Sequence, residues 1–83
     1  MITHQATIEI PETVLLAEKT DVRSFVHEMR VLAAIKMYEM GRLTSGRAAE
    51  LAGMSRIEFL LGLRQYHVFP LSTELDELES AYA

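Results

Sequence analysis

The chain has 83 residues, 49% of them hydrophobic, and a formal net charge of −4. This length supports one domain, and no apolar segment reaches the roughly 18 residues that span a bilayer, so we expect a soluble, cytoplasmic protein without a membrane partner. The absence of cysteine excludes a disulfide framework and a thiolate metal site. The three histidines are too scattered for metal-ligand spacing, so we expect neither a metal nor a cofactor.

The first segment alternates between apolar and polar residues. Ala6, Ile8 and Ile10 fall on one face of residues 3–10, which predicts a short strand with one apolar side. The chain offers no second convincing strand. We therefore expect the strand to pair with its copy in a second protomer, as an antiparallel ribbon across a homodimer.

A long helix is predicted after one or two helical turns in residues 12–18. Thr20 or Asp21 would cap it, and it would run to Met40 and stop at Gly41, a common residue for a left-handed helix end. Its apolar stripe contains Val22, Phe25, Val26, Met29, Leu32, Ala33 and Met40, interrupted by Lys36. From residue 31 onward the helix is apolar nearly all round, which indicates burial on several sides. The predicted dimer residues are Ile8, Ile10, Leu32 and Ile35.

Two short capped helices follow, separated by a tight turn. Thr44 or Ser45 can cap the first, and Gly53 can end it in the left-handed region. Ser55 opens the second, and with Glu58 it forms a capping box. A corner this sharp is typical of a helix-turn-helix, in which the second helix enters the DNA major groove. A helical hairpin that only packs is the alternative.

Charge supports a DNA-binding role for this part of the chain. Residues 41–66 carry a net charge of +2, whereas residues 1–40 carry −2 and residues 67–83 carry −4. The arginine at the start of the second helix, Arg56, is the better candidate for reading a base. The predicted DNA-binding residues are Thr44, Ser45, Arg47, Ser55, Arg56 and Arg64.

Two leucines in the second helix favour a different partner. Phe59 is the expected apolar anchor between the helices, but Leu60 and Leu61 are predicted to lie on the face that would point at DNA. This pattern favours a protein-interaction module whose helix-turn-helix does not bind DNA.

The chain is expected to divide after Pro70, because proline cannot continue a helix. Residues 1–70 would form the dimerisation and helix-turn-helix domain, and residues 71–83 an acidic, amphipathic helix or tail. This tail either packs on its own domain or binds a protein partner. Its predicted partner-binding residues are Leu71, Leu75, Leu78 and Tyr82.

A larger constellation of residues resembles a known family. The sequences EIPETV and LAAIKMYEMGRLTSGRAAELAGMSRIEFL, followed by Pro70, are similar to the small prokaryotic helix-turn-helix antitoxins of an uncharacterised protein family, often paired with PIN-domain ribonuclease toxins. The resemblance spans residues 7–70, and His67 stands where glycine is expected. It implies an N-terminal strand, a long helix, a helix-turn-helix and a C-terminal segment that engages the toxin.

These observations predict a mostly α fold with one short N-terminal strand. The preferred function is an antitoxin-like regulator that binds operator DNA as a homodimer and neutralises a toxin, with a PIN-domain ribonuclease as the expected class. An enzyme is the least favoured class, because the chain has no cysteine, no glycine-rich phosphate loop and no histidine with a plausible carboxylate partner nearby in sequence. We therefore predict no catalytic residues.

Overall fold

The computed structural model describes residues 2–70, which form four α-helices and a 3₁₀ turn. The elements are α1 (Glu12–Glu18), α2 (Val22–Glu39), α3 (Ser45–Ala52), α4 (Arg56–Gly62) and the 3₁₀ turn (Leu63–Tyr66). The predicted boundaries of α1 are confirmed. The predicted tail, residues 71–83, lies outside the described residues.

The predicted N-terminal strand is wrong. Residues 3–10 form neither a strand nor a helix, and the described chain contains no strand anywhere. Ile8 is exposed and Ile10 is half-buried, so the alternating pattern does not build an apolar face. A strand needs a neighbour to pair its N–H and C=O groups, and residues 2–70 supply none. The fold described here is therefore helical, and the strand-paired homodimer is withdrawn.

Helix α2 begins and ends close to its predicted positions. Asp21, not Thr20, is the N-cap, and its Oδ1 accepts a hydrogen bond from the Ser24 backbone N–H at 2.7 Å. The helix ends at Glu39, and Gly41 then adopts a φ of 76°, which a residue with a Cβ rarely takes.

The core lies between the C-terminal half of α2 and the elements that follow it. In the described chain its buried apolar side chains are Val31, Ala34, Ile35, Tyr38, Ala48, Ala49, Ala52, Phe59, Leu60, Leu63 and Val68. Tyr38 and Phe59 meet edge to face, with ring centroids 5.6 Å apart and planes at 86°. This contact joins α2 to α4, while α3 packs against both.

The N-terminal half of α2 contributes nothing to this core. None of residues 2–30 is buried, although α1 and the start of α2 carry many apolar side chains. Val22, Phe25, Val26 and Met29, which we call the N-terminal stripe, project about 180° away from the buried face of α2, since each residue turns the helix by about 100°. The helix is therefore apolar on two opposite faces, and the core uses one of them.

Candidate nucleic-acid interface

The first helix of the candidate interface is held by its cap and by small residues. Thr44 is the N-cap of α3, and its Oγ1 accepts a hydrogen bond from the Arg47 backbone N–H at 3.3 Å. The inward face of α3 carries the small residues Ser45, Ala48, Ala49 and Ala52, all buried, so the neighbouring helices approach closely. The hydrogen bond to its Oγ1 identifies Thr44, and not Ser45, as the N-cap of α3.

The turn between α3 and α4 is short and locally determined. Gly53 has a φ of 75°, and its N–H donates to the Glu50 carbonyl, as expected for a left-handed helix end. A Cβ at Gly53 would lie 3.6 Å from the nearest atom of Arg30, which is ordinary contact. The requirement for glycine therefore comes from backbone conformation and not from crowding.

The predicted capping box at the start of α4 is confirmed. The Ser55 Oγ accepts a hydrogen bond from the Glu58 N–H at 3.1 Å, and Glu58 Oε1 accepts one from the Ser55 N–H at 3.2 Å. The hydrogen bonds from the Ser55 backbone N–H and then its side chain lower the pKa of Glu58. Both hydrogen bonds stabilise the first turn of α4 and so help to set the direction of this helix after the turn.

Arg56 ties the first turns of the two helices together. Its Nε donates a hydrogen bond to the Oγ of Ser45 at 2.9 Å, and Ser45 is buried at the start of α3. Both residues are predicted to contact DNA, and the structure shows them in contact with each other.

The other predicted cations lie at the surface. Arg47 projects from α3 with its side chain 71% exposed, and its Nη1 donates to both carboxylate oxygens of Glu50 at 3.1 Å. Arg64 is exposed in the 3₁₀ turn beyond α4, and Arg42 is exposed before α3. Exposed arginines therefore precede α3, project from it and follow α4.

The two leucines of α4 point in different directions. Leu60 is buried in the core, so its predicted outward position is wrong, whereas Leu61 is 54% exposed. Leu60 packs inward because the core extends past α4 to Leu63 and Val68. Only one apolar side chain of the pair remains available to a partner.

Sequence reasoning missed Arg30. Its Nε donates a hydrogen bond to the carbonyl oxygen of Leu51 at 2.8 Å, from the middle of α2 to the last turn of α3. This bond satisfies a carbonyl that the helix end leaves unpaired and places a cation at the negative end of α3. The two residues are 21 positions apart in the sequence, so no local sequence pattern predicts the contact.

The predicted dimer residues divide between surface and core. Ile8 and Leu32 are exposed, Ile10 is half-buried, and Ile35 packs in the core. A second copy could therefore reach Leu32 but not Ile35.

Other kinds of site find little support in residues 2–70. That segment holds no group of three or more histidine, cysteine or acidic side chains placed to share a metal ion. None of its helices is both long and apolar enough to cross a membrane. A groove of about 590 Å³ lies between the end of α2 and residues 67–69, lined in part by Arg42, Thr44 and His67.

The sequence matches an uncharacterised protein family, UPF0175, over residues 1–82. The chain belongs to UPF0175. A UPF0175 protein of Archaeoglobus fulgidus is 44% identical over 52 residues, which cover 63% of this chain and 59% of the relative. No solved structure matches the chain. Neither of the two names states an activity, so function has to be argued from the geometry.

Proposed function

We propose that this UPF0175 protein is an antitoxin-like regulator that binds operator DNA through α3 and α4. The observation that carries the proposal is the pair of capped helices joined through Gly53, with α4 beginning three residues later, at Arg56. Such a unit places one helix across the DNA backbone and the next in the major groove. The tie between Arg56 and Ser45 would hold that angle before DNA arrives.

The charge distribution supports this orientation on DNA. The chain as a whole is acidic and is repelled by phosphate, yet residues 41–66 carry a net charge of +2. The exposed arginines Arg42, Arg47 and Arg64 belong to that segment. Approach through this face brings these cations to the phosphates.

The residues divide into contacting and positioning roles. Thr44 and Arg47 lie where phosphate contact is expected, at the start of α3, and Arg64 lies beyond α4. Ser45 is buried, so we assign it an indirect role through Arg56, while Ser55 holds the first turn of α4. Arg56 would direct α4 into the groove, and base reading by its guanidinium remains part of the proposal.

A binding assay tests the proposal. The full-length protein should bind DNA from upstream of its own gene more tightly than a scrambled fragment, and Arg47→Ala should weaken binding to both. Lys36→Ala is the matched control, because Lys36 is 68% exposed and pairs with Glu39 at the same spacing as Arg47 with Glu50. Equal binding to both fragments, or equal effects of the two substitutions, would refute DNA recognition through this face.

The second part of the proposal is neutralisation of a ribonuclease toxin, for which a PIN-domain enzyme is the expected class, by residues 71–83. Its support is the resemblance of residues 7–70 to antitoxins and the four acids of the segment, which carries no base. An enzyme surface that handles RNA is expected to be basic and to attract such a segment. Deletion of residues 71–83 should abolish inhibition of the toxin encoded beside it and preserve the melting temperature. A large fall in melting temperature would instead make the segment part of the fold.

A protein-interaction module is the alternative, and the exposure of Leu61 and Phe69 favours it. In that case Leu61→Glu should abolish capture of a purified protein partner, while Arg47→Ala leaves it unchanged. DNA affinity that Arg47→Ala lowers and Leu61→Glu leaves intact would favour the regulator.

A further inference from the structure

The N-terminal stripe of α2 is an apolar surface that the described chain covers only in part, since Phe25 and Val26 are half-buried. Val22 is 56% exposed and Met29 is 38% exposed, and none of residues 2–30 is buried. The stripe continues along the helix through Leu32, which is also exposed. An apolar row of this length on an 18-residue helix, about 27 Å long, is typical of a helix that packs against another.

The charges beside the stripe indicate what covers it. Arg23 lies on one edge and Glu28 on the other, each about 110° from the centre of the stripe. Farther along the same two edges are Arg30, which is bonded to Leu51 of its own chain, and Glu39, which pairs with Lys36. The helix therefore presents a basic edge and an acidic edge on either side of one apolar row. Such a surface is complementary to a copy of itself.

The same pattern selects the direction of the two helices. When two copies lie parallel about a two-fold axis along the helices, the basic edge of each faces the acidic edge of the other. When they lie antiparallel, like edges face each other and repel. We propose that the UPF0175 chain forms a homodimer in which two α2 helices pack in parallel through Val22, Phe25, Val26 and Met29.

This dimer deepens the proposed DNA-binding function. Only the comparison of the distance between the two α3–α4 units with the spacing of DNA grooves rests on that function. The α3–α4 unit packs on the face of α2 opposite the stripe, so the two units would lie on the outer sides of the helix pair. With layers roughly 9 Å apart, the two α3 axes are roughly 27 Å apart. Helix α4 packs on α3 and also contacts α2, through Phe59 and Tyr38. The roughly 27 Å between the two α3–α4 units is of the same order as the ~34 Å between successive major grooves.

Single cysteines test both the face and the direction, because the chain has no cysteine of its own. In the full-length protein without DNA, Val22→Cys and Met29→Cys should both give disulfide-linked dimers under mild oxidation. In a parallel pair each residue meets its own copy, whereas in an antiparallel pair residues seven apart cannot both do so. Leu61→Cys, with exposure close to that of Val22, is the control and should stay uncrosslinked.

Sedimentation equilibrium supplies the second readout. The wild-type protein should be a dimer at micromolar concentration, and Val22→Glu should raise the dissociation constant at least about tenfold, since it places a charge in the apolar row. Glutamate in the first turn of α2 suits the helix dipole, so this variant should remain folded, and Leu61→Glu should leave the dimer unchanged. A wild-type monomer, crosslinking at one position alone, or crosslinking at Leu61→Cys as fast as at the stripe would overturn the proposal. A dimer that fails to bind DNA would refute the proposed function and leave this inference standing.

Discussion

Single residues decide where the helices of this protein begin and end, and most of them can be read from the sequence. Asp21 and Ser55 cap helices, and Gly41 and Gly53 take the left-handed conformation. These features could be predicted because each depends on neighbours within four residues. Contacts over longer distances could not be predicted in this way. The bonds from Arg30 to Leu51 and from Arg56 to Ser45 depend on packing that brings distant turns together.

Two residues other than glycine take the left-handed conformation in the described chain, Lys19 and His67, and His67 offers a direct test at this scale. His67 follows the 3₁₀ turn with a φ of 59°, and its N–H donates to the Arg64 carbonyl. The left-handed conformation costs a residue with a Cβ about 1–2 kcal/mol. Glycine avoids this cost, but the greater freedom of its unfolded chain offsets part of the gain in stability. His67→Gly should therefore raise the melting temperature by a few degrees.

The valine variant at the same position gives the opposite test. His67→Val should lower the free energy of unfolding by more than about 1 kcal/mol, because a β-branched side chain fits this conformation poorly. Thermal melts of the three proteins should give the order Gly, His, Val. If the valine variant is as stable as the wild type, the conformation of residue 67 is not as described.

At the scale of elements, the helices could be predicted and the N-terminal segment could not. A capped helix satisfies most of its backbone hydrogen bonds within itself, so a local pattern is sufficient to predict it. The alternation of Ala6, Ile8 and Ile10 predicts only one face of a strand, whereas pairing needs a second strand. The burial of Leu60 could not be predicted for a related reason. The core extends beyond α4, and the residues there determine which side of α4 is buried.

The helix caps should make stability depend on pH in the acid range. The pKa of Asp21 is lowered chiefly by the Ser24 backbone N–H, and that of Glu58 chiefly by the Ser55 backbone N–H. A lowered pKa in the folded state means that ionisation favours folding. This stabilisation is complete above the unfolded value, 4.5 for Glu58, and is lost as pH falls through the lower folded value.

Thermal melts between about pH 3 and pH 7 measure this dependence. The wild-type melting temperature should fall in acid, and Glu58→Gln should show a smaller fall, since glutamine retains the capping geometry without titrating. Combining it with Asp21→Asn should flatten the curve further, because the two caps lie on different helices and asparagine is a good N-cap. A double variant that falls as steeply as the wild type would exclude the caps as the cause.

At the scale of the whole molecule, the chain separates its surfaces by charge and polarity. The α3–α4 unit, flanked by Arg42 and Arg64, lies on one face of α2, the N-terminal stripe lies on the opposite face, and most of the acids belong to other parts of the sequence. The division of charge between segments could be predicted from the sequence, because it requires only a count of the charged residues in each segment. It did not predict which apolar face of α2 forms the core, because both faces carry suitable side chains.

The salt dependence of DNA affinity tests the central claim most directly. For the full-length protein on upstream DNA, the logarithm of the binding constant should fall linearly with the logarithm of salt concentration, by about 0.9 for each phosphate contacted. Arg47→Ala should reduce that slope by about one, and Lys36→Ala should leave it unchanged. An affinity that hardly changes with salt, or a slope that Arg47→Ala does not alter, would contradict DNA binding through α3 and α4.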